Sequence, residues 1–135
     1  MNRFVLDCSV SAAWCLKDEA SDEARRYLEL LGDGEAFVPP LWTVEMTNVL
    51  VLAERKKRVT GEDAALALDL LERLPIVIVE AGTSVMRRVR AVATRHGLTA
   101  YDACYLDLAL ERQLPLASFD RTLRSAAKVA RVSLV

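Results

Sequence analysis

Short apolar runs alternating with helical stretches constrain this chain more than any other feature of its sequence. Residues 3–6, 36–38, 76–79, 116–118 and 132–135 are each too brief for a helix, and Ile76 to Val79 is wholly β-branched, so all five read as strands. Between them the spacing predicts helices over 9–16, 18–31, 41–57, 60–74, 84–96, 99–113 and 120–128. Local chemistry marks the boundaries. Gly32-Asp33-Gly34 stops the second helix, Thr60-Gly61-Glu62-Asp63 opens the fourth as a capping box, and Gly97 follows His96 as a helix stop. Strands buried on both faces and separated by helices belong to a parallel sheet covered on both sides. The expected fold is therefore α/β, a three-layer sandwich with a central parallel sheet of 4–5 short strands flanked by helices, with residues 1–135 forming a single domain.

Composition decides which chemistries remain. A chain that is 53% hydrophobic with only 5 Gly and 4 Pro is neither disordered nor of low complexity. No apolar run reaches the roughly 20 residues a bilayer requires, because Asp7, Lys17 and Asp18 interrupt the first candidate and Glu45 and Glu54 the second. The apolar stretch before Asp7 is too short for a secretory signal, so a soluble cytoplasmic protein with no membrane partner is expected. Cys8, Cys15 and Cys104 are odd in number and form no CxxC pair, which leaves them as small packed side chains. A single histidine, His96, excludes a His-rich zinc site and a two-histidine acid/base pair, and no GxSxG motif accompanies it. An enzyme built on this sequence must work through its acids.

Four acids stand out by position. Asp7 directly follows the first strand and Asp120 the fourth, at the carboxyl ends of strands where α/β folds place their sites. At about 100° per residue, the helix beginning at Leu41 puts Thr43, Thr47 and Glu54 on a polar stripe. Glu45 lies about 180° from that stripe, on an arc shared with Leu41, Val49 and Leu52, with Asn48 beside it. Asp102 shares a face with Tyr105, Leu106 and Ala109, whereas Asp107 and Glu111 lie roughly 140–180° round on what reads as the solvent side. Each acid also has an ordinary structural explanation. Thr99 and Asp102 are spaced as a capping box, Asp120 and Asp7 are placed to cap helices, Ser9 is placed to share the second of those caps, and Glu45 is suited to a core salt bridge. Taken jointly, the four can meet at one sheet edge. Two carboxylates about 4 Å apart repel by roughly 4 kcal/mol at an effective dielectric of 20, so such a cluster needs a cation. Oxygen ligands alone select a hard divalent ion, magnesium or manganese before zinc, and the hydrolysis of a phosphodiester is the chemistry such an ion supports.

These residues resemble the motifs of the PIN-domain ribonucleases and, in this compact form, of the VapC-type toxins of toxin–antitoxin pairs. Val5-Leu6-Asp7-Cys8-Ser9 resembles the opening strand with its acid, and Trp42 to Leu50, with Glu45 and Asn48, the second motif. Thr99-Ala100-Tyr101-Asp102 resembles the third and Leu116-Ala117-Ser118-Phe119-Asp120 the fourth, so the similarity spans essentially the whole chain. The resemblance implies that Asp7, Glu45, Asp102 and Asp120 hold Mg2+ or Mn2+, while Ser9, Asn48 and Ser118 support them through hydrogen bonds or ordered water. It implies endoribonuclease activity on RNA, a homodimer, and silencing by a cognate antitoxin whose tail enters the active-site groove. Asp107 departs from the pattern, since small apolar residues are common there in relatives, and it reads as neutral surface variation.

With 18 Lys and Arg against 19 Asp and Glu, a net charge of -1 does not hold nucleic acid by bulk attraction. Local cationic clusters occur at Arg55 to Arg58, among Arg87, Arg88, Arg90 and Arg95, and at Arg121, Arg124 and Lys128. The last begins beside Asp120, which makes Arg121 and Arg124 the candidate RNA contacts. Trp14, Trp42, Tyr27, Tyr105 and the Leu66, Leu70, Leu74 face read chiefly as core. A haloacid-type phosphatase would need a second Asp where Ser9 stands, and a receiver-type domain would need paired acids there. The remaining rival is a catalytically silent PIN-like scaffold that only binds RNA or protein, which the presence of all four acids disfavours.

Overall fold

The computed structural model describes residues 1–135 and contains four parallel strands, β1 (Arg3–Leu6), β2 (Glu35–Val38), β3 (Ile76–Ile78) and β4 (Leu116–Ala117), in the order β3-β2-β1-β4. Seven α-helices connect and follow them: α1 (Cys8–Cys15), α2 (Asp22–Leu30), α3 (Leu41–Arg55), α4 (Gly61–Arg73), α5 (Val85–His96), α6 (Ala100–Arg112) and α7 (Arg121–Val129). The chain steps from β1 to β2 to β3 in one direction, then crosses back to place β4 on the far side of β1. Right-handed crossovers therefore assign α1 to α4 to one face of the sheet and α5 and α6 to the other. Packing agrees with this division. α1 contacts α2 and α3, α3 contacts α4, and α6 contacts α5, α7, β1 and β4.

Burial follows from the apolar runs. Phe4, Val5, Leu6, Ala36, Phe37, Val38, Leu116 and Ala117 are all buried, as expected of strands covered on both faces. β3 is an edge strand, and its Val77 and Ile78 are exposed. The expected fifth strand at 132–135 reduces to a single parallel bridge between Leu134 and Leu116. The expected helix over 18–31 is likewise shorter. Arg58 pairs with Asp18 at 2.8 Å and Glu19 at 2.9 Å, across a 3₁₀ turn at Lys17–Glu19. Ser21 then starts α2 by accepting the Ala24 N–H at 3.1 Å. On α4 the buried face is Ala64, Ala67 and Leu71, so Leu66 and Leu70 are exposed rather than core. No helix is long and apolar enough to cross a membrane.

Asp107 differs most from its sequence reading. It is only 5% exposed, because α6 lies between the sheet and its neighbouring helices and buries every residue from Tyr105 to Ala109. The helix has no solvent side at that level. Arg88 of α5 reaches Asp107 through Nε and Nη2 at 3.3 and 3.4 Å, and its Nε also lies 2.9 Å from Glu111. Burial raises the Asp107 pKa, and Arg88 pulls it partly back. Removing one partner of a buried ion pair costs about 3–5 kcal/mol, but Arg88 is more than a third exposed. Asp107→Ala is therefore expected to lower stability by about 1–2 kcal/mol. An Asp107→Leu, Arg88→Leu double variant should recover most of that loss in chemical denaturation, and a single variant as stable as the parent would rule out the pairing as a structural element.

Candidate active site

Asp7 is placed by the strand register. Leu6 pairs with Ala117, and the Asp7 N–H donates to the Ala117 carbonyl at 3.0 Å, so Asp7 and Ser118 emerge side by side from β1 and β4. This is where strand order reverses, the location that open parallel sheets favour for sites. Asp7 occupies the N-cap position of α1 but makes no capping bond with its side chain. Its Oδ2 instead accepts the Ser9 hydroxyl at 2.6 Å and the Ser118 hydroxyl at 2.7 Å. Ser9 Oγ accepts the Phe119 N–H and Ser118 Oγ accepts the Asp120 N–H, both at 3.0 Å. Each serine thus donates to the acid and accepts from the turn that carries Asp120, which fixes its hydroxyl proton.

The other acids are held differently. Asp120 caps α7, with Oδ1 accepting the Leu123 N–H at 2.8 Å. One oxygen meets the capping role anticipated from the sequence, and the other remains for a ligand. At Asp102 only half of the expected capping box forms. Its backbone N–H donates to Thr99 Oγ1 at 3.2 Å, and no hydrogen bond occupies its carboxylate. Glu45 forms no salt bridge. It is half-buried and accepts the hydroxyl of fully buried Tyr105 through Oε1. The buried face of α3 is centred on Trp42, Met46, Leu50 and Ala53, with Glu45 and Val49 at its margin, so Leu52 is exposed instead of sharing an apolar arc. Asn48 is exposed and makes no hydrogen bond to the acids. Tyr105 was legible from the sequence only as an apolar position. The signal for a polar role was its spacing three residues after Asp102, on the same helical face.

The four acids sense one another. Burial raises the Asp7 pKa first, the two serine bonds oppose it, and Asp120 adds repulsion. Burial raises Glu45, the Tyr105 bond opposes it, and Asp7 and Asp102 add repulsion. Asp102 is raised by burial and then by Asp120 and Asp7. As the side chains stand, no three acids gather tightly enough to enclose an ion. The donor set fits a hard divalent ion that keeps much of its water shell and takes one or two carboxylates at a time, which is the habit of magnesium. The cation clusters separate as well. Arg124 is half-buried and its Nη1 donates to the Ser118 carbonyl at 2.9 Å, whereas Arg121 is exposed. A groove of about 490 Å³ opens past Cys104, between α6 and the carboxyl ends of β2 and β3.

Carboxyls whose native pKa exceeds the unfolded value destabilise the fold when ionised. That penalty is complete above the native pKa and is relieved as pH falls through it, so in chelator these acids should make the protein more stable as the pH is lowered through their raised native pKa values. Asp7→Asn removes the most buried of these charges while keeping an oxygen for both serines. It is expected to raise stability at pH ~8 by about 0.5–2 kcal/mol and to flatten the pH dependence in thermal melts. A destabilised Asp7→Asn chain would contradict this electrostatic account.

Comparison with known proteins places these features in a family. The model of the PIN domain matches residues 4–129. Ribonuclease VapC3 of Pyrobaculum aerophilum is 30% identical over 122 residues, spanning 90% of this chain and 92% of its own length. The crystal structure of PAE2754 from the same organism superposes with a TM-score of 0.73 at 24% identity, over 93% of this chain and 84% of the other. VapBC2 from Rickettsia felis, solved bound to a DNA fragment from its promoter, superposes with a TM-score of 0.69 at 14% identity, over 98% and 97% of the two chains. At those identities the superpositions establish the fold alone. The family match along nearly the whole sequence and the VapC3 relative establish that this chain belongs to the PIN-domain family.

Proposed function

We propose that this chain is an endoribonuclease that hydrolyses RNA phosphodiester bonds with Mg2+ or Mn2+, and that it acts as the toxin of a toxin–antitoxin pair. One observation carries the reading. Asp7 is buried and clamped by Ser9 and Ser118, with Asp120, Asp102 and Glu45 within electrostatic range at the strand switch point. The relative named Ribonuclease VapC3 supports nuclease chemistry, and the VapBC2 likeness is consistent with an antitoxin partner. A divalent ion supplies charge neutralisation and activation of water at neutral pH. Asp7, Glu45, Asp102 and Asp120 are the residues to hold it.

The chain's own groups define the remaining roles. Ser9 and Ser118 fix the ionised Asp7 by donating to it. Arg124, anchored on the Ser118 carbonyl, keeps donors for a phosphate oxygen next to the acids, and is the better phosphate contact than free-standing Arg121. Asn48 remains a support only through water, since it contacts none of the acids directly. Residues 1–135 act as one domain in the cytoplasm. Exposed Val44 of α3 and Leu66 and Leu70 of α4 give a second copy or the antitoxin an apolar surface to cover.

Water, not the substrate's 2′-hydroxyl, is the nucleophile in this scheme, so cleavage should leave 5′-phosphate and 3′-hydroxyl ends. Purified protein with structured RNAs and manganese is expected to give such fragments, with none in chelator and none from Asp7→Asn. Cyclic phosphate ends, or equal cutting by the variant, would reject the proposal. Arg124→Gln should lower kcat/KM about tenfold or more while Arg121→Gln changes it little, which assays at matched ionic strength will separate.

A further inference from the structure

Glu45 differs from the other three acids in how it is restrained. Asp7 stands at a strand end between two serines, Asp120 is tied to the first turn of α7, and Asp102 sits in a turn capped through its own backbone. Glu45 has the longest side chain of the four and forms no salt bridge. Its helix is seated by Trp42, Met46, Leu50 and Ala53, so packing of α3 does not by itself settle where this carboxylate lies. The Tyr105 hydroxyl does. Its side chain is wholly buried, it is 60 residues away in sequence, and its hydroxyl makes no other hydrogen bond. A buried phenol needs a partner, so moving Glu45 away would strand that hydroxyl.

Resting on the reading that the acids share a divalent ion, we propose that Tyr105 is a positioning residue: its hydroxyl holds one oxygen of Glu45, which keeps this carboxylate at the cluster with its second oxygen left for the ion. Asp102 and Tyr105 stand three residues apart on α6, so one helix supplies a ligand directly and sets a second ligand borne by α3. Outer residues that orient metal ligands commonly govern affinity in this way.

The test uses Mn2+ alone as the probe and the full chain. Tyr105→Phe keeps the ring and removes the hydroxyl. It is expected to weaken Mn2+ binding about 10–100-fold by calorimetric titration, with an unchanged melting temperature in chelator and with RNA cleavage recovering at higher Mn2+. In a Glu45→Gln background the same change should cost no further affinity. Unaltered Mn2+ affinity in Tyr105→Phe, or a loss that persists fully in the Glu45→Gln background, would overturn the proposal. So would a Tyr105→Phe chain that fails to fold, because the bond would then serve the core. A native chain that binds Mn2+ in this Tyr105-dependent manner yet cuts no RNA would defeat the nuclease reading and leave the positioning role standing.

Discussion

Burial of the Asp7 carboxylate between β1 and β4 is the constraint from which the rest of the site follows. At 5% exposure an ionised acid loses most of its hydration, and that loss must be met by directed donors or the group protonates. Ser9 and Ser118 are those donors, one from each of the two turns that leave the paired strands. Their own lone pairs receive the Phe119 and Asp120 amides, so neither hydroxyl is free to rotate away. The arrangement joins the β1–α1 turn to the β4–α7 turn and brings Asp120 beside Asp7 as a by-product of satisfying it.

α6 turns different arcs to the acids, to the core and to α5. Asp102 and Tyr105 serve the acidic cluster, Leu106 and Ala109 fill the core, and Asp107 is turned to Arg88 of α5. A helix with neighbours all round has to pair every polar side chain in its middle. No buried side-chain nitrogen or oxygen lacks a partner in this protein, which is the outcome that rule requires.

Much of this was legible in the sequence for identifiable reasons. Strands of β-branched and apolar residues announce a two-sided parallel sheet, while Asp7 and Asp120 stand out at strand ends and Asp102 and Glu45 on helix faces shared with apolar residues, alongside capping roles that the structure fills only in part. Asp7 caps nothing with its side chain, Asp102 forms half a box, and Asp120 uses one oxygen of two. The failures share one cause, which is that periodicity describes a single helix against an imagined solvent. Spacing alone turns Asp107 outward, where α5 in fact lies over it, and turns Leu66 and Leu70 inward, where the smaller Ala64 and Ala67 form the packing face. Ser21, Asp18 and Glu19 likewise redirected a helix start through contacts with Ala24 and Arg58, the second of which lies far along the chain. Tyr105 could be placed on the right face from spacing, but its partner 60 residues upstream could not.

The bond from Ser118 to Asp7 spans 111 residues, and the strand that delivers it, β4, is only two residues long. A chain still emerging from the ribosome therefore carries Asp7 through the synthesis of the next 111 residues without the hydroxyl that orients it or the Asp120 beside it. The hydroxyl that orients Asp7 is delivered only when β4 pairs with β1, and a product truncated before residue 118 lacks it.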